Sequence, residues 1–339
     1  MSHRYAVAGI GNAIVDVLSP VDDHFLDLMG IEKGIMQLVE RDRAELLYAA
    51  MKDRTEAPGG SVANTLAGIG ALGLKTAFMG RVRDDSLGKG YAQSMTDGGT
   101  DFAVAPAPAD LPTSRSMIFV SPDGERSMNT YLGVSAEVGP EHVPEDVAGD
   151  CGFLFLEGYL FDKDPGKAAF LKAAELCHKG GGKAGIALSD PFCVNRHRAD
   201  FKALIAGQMD YVIGNSHEWC ALYETEDLDA ALAEAAAVCG TVICTRSGDP
   251  VWLIRGTERA EVPVTKVVPL DATGAGDQFA AGLLCGLASG VAAREPGGSH
   301  RATGTVLPNL HGSEWSGAQI AAPPSSSVLP SHGSFRGKP

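Results

Sequence analysis

The stretch DATGAGDQFAAG, residues Asp271–Gly282, joins a glycine-rich turn to an apolar run. Phe279, Ala280, Leu283 and Leu284 recur at helical spacing, so the run reads as a helix that opens at Gly274. The N–H groups of Gly274, Ala275 and Gly276 then stand at a helix start, where the dipole and the uncommitted amides attract anions. Asp277 falls in the first turn, beside that cradle. A carboxylate is a poor neighbour for a stored phosphate, because like charges repel. It suits phosphoryl transfer, in which it accepts a hydroxyl proton while the amides stabilise the group under attack. The structural alternative is a helix-terminal Asp that only offsets the dipole.

Upstream of this helix, short apolar runs alternate with helical patterns. Strands are expected at Tyr5–Ile10, Thr76–Val82, Phe153–Leu156, Ala184–Leu188, Tyr211–Ile213, Val242–Thr245 and Val251–Ile254. Helices are expected at Ser61–Leu72, Ser86–Thr96, Pro165–His178, Arg196–Ala206, 216–223 and Leu228–Val238. Strands apolar throughout, alternating with helices, predict an α/β fold with a mainly parallel sheet covered on both faces. Ser116–Val120 and Arg126–Leu132 flank SPDGE and predict a hairpin. With Leu26–Val39 and Phe102–Leu132 read as β, a small second sheet is expected beside the main layer, acting as a lid.

The chain has 339 residues, 45% of them hydrophobic, and a formal net charge of -14. No basic face for nucleic acid is expected, nor is a membrane span, since no apolar window is long enough. The apolar run after Met1 stops at Asp16, too short for a signal peptide, so a cytoplasmic protein is expected. Seven cysteines without a CxxC pair read as buried thiols. Residues 291–339 hold Gly, Pro or Ser at 21 positions and three of the nine histidines, with no sustained period. They read as an atypical tail, disordered or following a frameshift near Gly290.

Several motifs fail on context. Gly68-Ile-Gly-Ala-Leu-Gly73 fits GxGxxG but lies at the end of a helical run, where a dinucleotide fingerprint does not belong. There is no GxxxxGK[ST], and His217-Glu218 is not completed to HExxH because position 221 is Ala. Gly59-Gly-Ser-Val-Ala63 misses GxSxG by its last residue. Gly59-Gly-Ser-Val-Ala-Asn-Thr65 survives: adjacent glycines before a helix let the backbone approach a ligand, and Ser61 and Asn64 add short polar groups. A capped helix that binds nothing is the structural alternative.

GGSVANTLAGIGALGLKTAFMGRVRDDSLG (59–88) and DATGAGDQFAAGLL (271–284), in this order, resemble the two signatures of the PfkB/ribokinase family of carbohydrate and nucleoside kinases. The resemblance covers about residues 5–290. It implies a ribokinase-like three-layer α/β/α fold in residues 1–290, with lid strands from about 12–39 and 102–132, and an ATP- and Mg²⁺-dependent phosphotransferase. In the family, residues matching Asn12 and Asp16 of GNAIVD bind sugar hydroxyls. NSHE (215–218) matches a motif that positions Mg²⁺ and phosphate, which implies Asn215 and an indirect role for Glu218. CTRSG (244–248) implies nucleotide contacts at Thr245, Arg246 and Gly248, with Thr273, Gly274 and Gly276; Pro250 stands where the family often has Gly.

IMQLVE (35–40), SMIFVSPDGERSMNTYLG (116–133) and Ser61 resemble the adenosine-kinase branch, especially its bacterial members. That implies Arg126 facing the phosphates, with Met36, Met128, Thr130, Leu132 and Tyr159 around a purine. Gly59, Gly60, Ser61 and Asn64 complete the acceptor side. The resemblance implies phosphorylation of adenosine at its 5′-hydroxymethyl group by a monomer or homodimer, with a monovalent cation such as K⁺ as a further cofactor in many members. The alternatives are a sugar kinase for ribose, fructose or a related ketose, and a degenerate member that binds without turnover. The tail departs from the family pattern.

Overall fold

The computed structural model describes residues 3–264 and 274–290. The chain begins β1 (Tyr5–Ile10), β2 (Ile14–Pro20), α1 (Asp23–Met29), β3 (Met36–Leu38), α2 (Arg41–Ala50), β4 (Thr55–Gly59) and α3 (Ser61–Ala71). Next come β5 (Thr76–Met79), α4 (Ser86–Asp97), β6 (Thr100–Phe102), β7 (Ser114–Val120), β8 (Arg126–Tyr131), α5 (Glu145–Ala148) and β9 (Cys151–Glu157). Then follow α6 (Asp164–Lys179), β10 (Lys183–Ala187), α7 (Pro191–Gln208), β11 (Tyr211–Asn215), α8 (Ser216–Tyr223) and α9 (Leu228–Val238). The last elements are β12 (Thr241–Arg246), β13 (Asp249–Arg255), β14 (Glu258–Val262) and α10 (Ala275–Ala288).

The main sheet has the order β14-β13-β12-β11-β10-β9-β1-β5-β6. Pairing is parallel from β6 to β12 and antiparallel through β13 and β14. Alternate residues of its strands feed two apolar layers, as the pleat requires. Ala8, Leu154 and Leu156 pack with Phe170, Phe201, Trp219 and Leu232 of α6–α9. Val7, Phe155 and Ile213 pack with Leu66, Tyr91 and Leu284 of α3, α4 and α10 on the opposite face. This is the expected mainly parallel α/β/α arrangement.

The second sheet has the order β3-β8-β7-β2-β4. One face, with Val15, Val17, Met117, Phe119 and Tyr131, belongs to the core with Leu26 of α1 and Ala44 and Leu47 of α2. Register puts Asp16, Ser116, Ile118, Met128, Thr130, Met36 and Leu38 on the other face.

Three expectations need correction. Residues 26–39 are not one β segment: Asp22 caps Phe25 N–H, Gly30 closes at φ 60, and the seven residues between form α1, leaving only Met36–Leu38 as strand. Residues 100–102 pair in parallel with β5 and form the outer strand of the main sheet. The small sheet also takes in Thr55–Gly59, which its Pro58 disguised; the strand lies on an edge, where Pro is tolerated. Residues 265–273 and 291–339, with Thr273 and the expected atypical tail, lie outside the described residues.

Candidate active site

The two glycine-bearing signatures meet. Helix α3 opens at Gly60, whose φ of 101 suits glycine and whose Cβ would collide with the Asn12 carbonyl. A Cβ on Gly59 would collide with the Asp16 carboxylate, so Asp16 is seated directly over the glycine pair. Helix α10 opens at Gly274, in the left-handed region at φ 76. The first bond inside α10 runs from Gln278 N–H to the Gly274 carbonyl at 2.9 Å, so the amides ahead of it have no acceptor within the helix. Ala275 and Gly276 form its exposed first turn.

Asp277 is where the helices interlock. Ser61 Oγ donates to Asp277 Oδ1 at 2.7 Å and Asn64 Nδ2 to Oδ2 at 3.0 Å. Thr65 Oγ1 donates to the Asp277 carbonyl at 3.2 Å. Gly68 is needed one turn later, because a Cβ there would press on Gln278 and Ala281 of α10. Burial raises the Asp277 carboxyl above its usual range, and the Ser61 and Asn64 hydrogen bonds pull it back. Ser61 and Asn64 thus face Asp277, rather than standing as independent polar groups.

Asp16 sits on β2 of the small sheet. Burial pushes its carboxyl up to about 7; the Arg126 guanidinium on β8 opposes the rise and the Asp277 charge adds to it. Arg126, Asp16 and Asp277 therefore share one electrostatic neighbourhood. Met36 and Met128 are direct register partners, and Thr130 pairs with Leu38 on the same face as Asp16. Met36 is 51% exposed and Leu38 55%, so the β3 end of this face is apolar and open, while Ser116, Ile118 and Thr130 on it are buried. Thr130 Oγ1 and Ser116 Oγ lie 2.8 Å apart. Leu132 falls past the strand end, where its carbonyl accepts from Ser135 Oγ at 2.8 Å. Tyr159 stands apart from these residues: it follows β9 on the main sheet, and its hydroxyl donates to the Ser189 carbonyl at 3.3 Å. Burial, then the charges of Asp190, Glu157, Glu218 and Asp277, raise the Tyr159 phenol well above its ordinary value.

On the opposite side of the sheet edge, Asn215 and Glu218 form a reciprocal capping box. Asn215 N and Nδ2 each donate to a Glu218 oxygen at 2.7 Å, and Glu218 N donates back to Asn215 Oδ1 at 3.0 Å. Burial pushes the Glu218 carboxyl up to about 7, against the Asn215 hydrogen bond. Each Glu218 oxygen accepts one bond from Asn215 and keeps a further lone pair. Among the described residues no group of three His, Cys, Asp or Glu is arranged to hold a metal ion. Thr245 is the penultimate residue of β12, and Gly248 lies in the tight turn to β13. The Arg246 guanidinium lies 3.8 Å from the Trp252 ring centroid, and its Nε donates to the Pro250 carbonyl at 2.9 Å. That side chain is fastened to β13.

Two residues at this edge escaped the sequence reading. Glu157 ends β9, 1% exposed, and accepts from Asn12 N at 2.7 Å, Asn12 Nδ2 at 2.8 Å and Val62 N at 3.2 Å. The signal was there: a carboxylate closing the apolar run FLFLE at a strand's C-terminal end, where α/β folds put their ligands. Phe192, 77% exposed in the first turn of α7, presents an open aromatic ring just beyond β10.

A parallel sheet with helix starts, a buried carboxylate and an open small sheet at its carboxyl edge is an α/β ligand-binding architecture of the phosphoryl-transfer kind. The chain belongs to the pfkB family carbohydrate kinases, whose family model matches residues 30–296. It is 46% identical to the solved adenosine kinase from Sinorhizobium meliloti, with a TM-score of 0.77 over 85% of this chain and 88% of that one. A probable sugar kinase from Rhizobium etli CFN 42 is 43% identical, with a TM-score of 0.77 and the same coverages. The guanosine-inosine kinase of Escherichia coli K12 is 26% identical over 263 residues, 74% of this chain. The chain spans 60% of the length of that curated relative. Among the described residues, no helix is long and apolar enough to cross a membrane.

Proposed function

We propose that the protein transfers the γ-phosphoryl group of ATP to the 5′-hydroxymethyl group of a ribosyl acceptor, with adenosine as that acceptor. The observation that carries this reading is the interlock at Asp277. Its carboxylate is held by Ser61 and Asn64 while standing in the first turn of a helix that opens on Gly274. A base so oriented can take the hydroxyl proton, and the first-turn amides can bind the phosphoryl oxygens.

Asp16 supplies the second half of the reading. An ionised carboxylate only accepts hydrogen bonds, and can take two from vicinal hydroxyls. Asp16, beside Asn12 at the crossing into the small sheet, suits the ribose diol. Met36, Leu38 and Met128 give an apolar surface for the base. Phe192, exposed in the first turn of α7, offers a further aromatic stacking face. Arg126 would offset charge on the transferring group, and the small sheet would close as a lid to exclude water. ATP would lie along the main-sheet edge by Asn215, Thr245 and Gly248. Mg²⁺ would come with its phosphates, shielding their charge, with Glu218 reaching it through water.

The test is a kinase assay with MgATP and a panel of adenosine, inosine, guanosine, ribose and fructose. Adenosine is expected to have the highest kcat/KM. Turnover of a sugar without adenosine would move the protein to the sugar-kinase reading, which the Rhizobium etli relative favours. Binding without turnover of any acceptor would overturn both.

A further inference from the structure

We infer that Glu157 is a positioning residue: a buried clamp that fixes the crossings between the two sheets and thereby holds the acceptor side of the site in place. The chain passes between the sheets four times, at 11–13, at Gly60, at 103–113 and after Tyr131. Three of these passages converge on one polar chain. Glu157 Oε1 accepts from Asn12 N at 2.7 Å and Asn12 Nδ2 at 2.8 Å, on the first passage. Its Oε2 accepts from Val62 N at 3.2 Å, in the first turn of α3 just after the second. Ser135 Oγ, after the fourth, lies 2.9 Å from Asn12 Oδ1 and 2.8 Å from the Leu132 carbonyl, and its one proton is shared between these two acceptors. Glu157, Asn12 and Ser135 are 1%, 3% and 0% exposed.

The packing leaves little freedom in this arrangement. A Cβ on Gly11 would touch the Glu157 carboxyl at 3.0 Å, and one on Gly60 would collide with the Asn12 carbonyl. A carboxylate buried among amide donors gives strong, directional bonds and is costly to leave unmatched. What it fixes is functional in the proposed reading: Asn12 leads into the strand bearing Asp16, and Val62 lies between Ser61 and the Asn64 that holds Asp277. Glu157 itself acts through these residues. It orients the acceptor subsite, leaving the nucleotide side at Asn215 and Gly248 untouched.

The inference rests on the kinase reading for its kinetic arm only. Three variants of the full chain test it: Glu157→Gln, Ser135→Ala and the pair combined. At about pH 8, above the raised Glu157 value of about 7, the wild-type carboxyl is ionised and Glu157→Gln turns one acceptor oxygen into a donor facing an N–H. Amide exchange in residues 11–16 and 60–65 is then expected to accelerate roughly ten-fold or more, with β10 and β11 unchanged. The KM for adenosine should rise by a similar factor, with the KM for ATP within about two-fold. Ser135→Ala should act in the same direction and more weakly, about three-fold. Because both act through Asn12, the double variant should resemble Glu157→Gln alone. Exchange unchanged in either segment, equal losses for ATP and adenosine, or additive effects would overturn the clamp. If Glu157→Gln does not fold, Ser135→Ala decides by exchange in residues 11–16: acceleration supports the clamp and no change rejects it. A wild-type protein without phosphotransfer would sink the kinase reading, while the exchange result would still decide on Glu157.

Discussion

Replacing Asp277 with Asn tests the catalytic reading with little disturbance of the fold. The carboxylate now accepts at 2.7 Å from Ser61 and at 3.0 Å from Asn64. In the variant, the carboxamide oxygen can keep the Asn64 bond, since Asn64 Nδ2 can only donate. The new amide nitrogen then faces Ser61, whose hydroxyl can turn to accept instead. Both contacts survive in altered form, so stability should change by no more than about 1 kcal/mol. The base is nevertheless gone, because an amide takes up no proton near neutral pH. Loss of a positioned general base costs about 10²–10⁴-fold, or about 3–5 kcal/mol of transition-state stabilisation at 1.36 kcal/mol per decade. ADP release with saturating adenosine should show that fall in kcat, while KM for ATP and the thermal midpoint hold nearly constant. A kcat within about ten-fold of wild type, in a variant of unchanged stability, would refute the assignment of Asp277 as base.

Three further outcomes are expected. Gly60→Ala should lower the free energy of unfolding by about 1–3 kcal/mol from backbone strain alone at φ 101, read by urea denaturation; an unchanged midpoint would contradict the close approach to Asn12. Ser61→Ala removes one of the two hydrogen bonds that hold the Asp277 carboxyl down, so the acid limb of kcat against pH should move upward, and a limb that stays or moves down would reject the coupling. Burial raises the Glu157 carboxyl from 4.5 to about 7, so the folded state holds a proton that the unfolded chain releases as pH rises through the usual carboxylate range. Its contribution to stability should therefore decline between about pH 4.5 and 7, by an amount on the order of 1–3 kcal/mol. Glu157→Gln should flatten that part of the wild-type pH–stability curve, and a curve of the same slope would argue against burial as the cause.

Most of the main sheet was legible because its strands are apolar on both faces and its helices carry their own caps. Asn215 accepts from Glu218 N–H and Asp227 from Ala230 N–H, each just before an expected helix start, whereas Asp190, which accepts from Cys193 N–H, opens α7 at Pro191, ahead of the start expected at Arg196. The small sheet was harder. Its edge strands β3 and β4 are short and incompletely buried, and β4 reads TEAPG, with no run of β formers and a Pro. Helix α1 has seven residues, fewer than the two full turns over which a period can be told from alternation. That Tyr159 follows a main-sheet strand while Met36 and Met128 lie on the small sheet depends on pairing between strands far apart in sequence.

The site shows the same division between local and distant information. Gly274 to Asp277 could be read as an anion cradle with a carboxylate at its rim because helix starts obey local rules. Nothing local says that Ser61 and Asn64, more than 200 residues earlier, are the groups that hold that carboxylate. The two signatures meet there: α3 supplies donors that orient the Asp277 oxygens and lower their proton affinity, and α10 supplies the carboxylate and its first-turn amides. That arrangement resolves the tension of placing a negative group beside an anion cradle. Burial raises the proton affinity of the Asp277 carboxyl and the two fixed donors draw it back down, which in the proposed reading is the balance a general base needs, since it must be ionised to take a proton and basic enough to hold one.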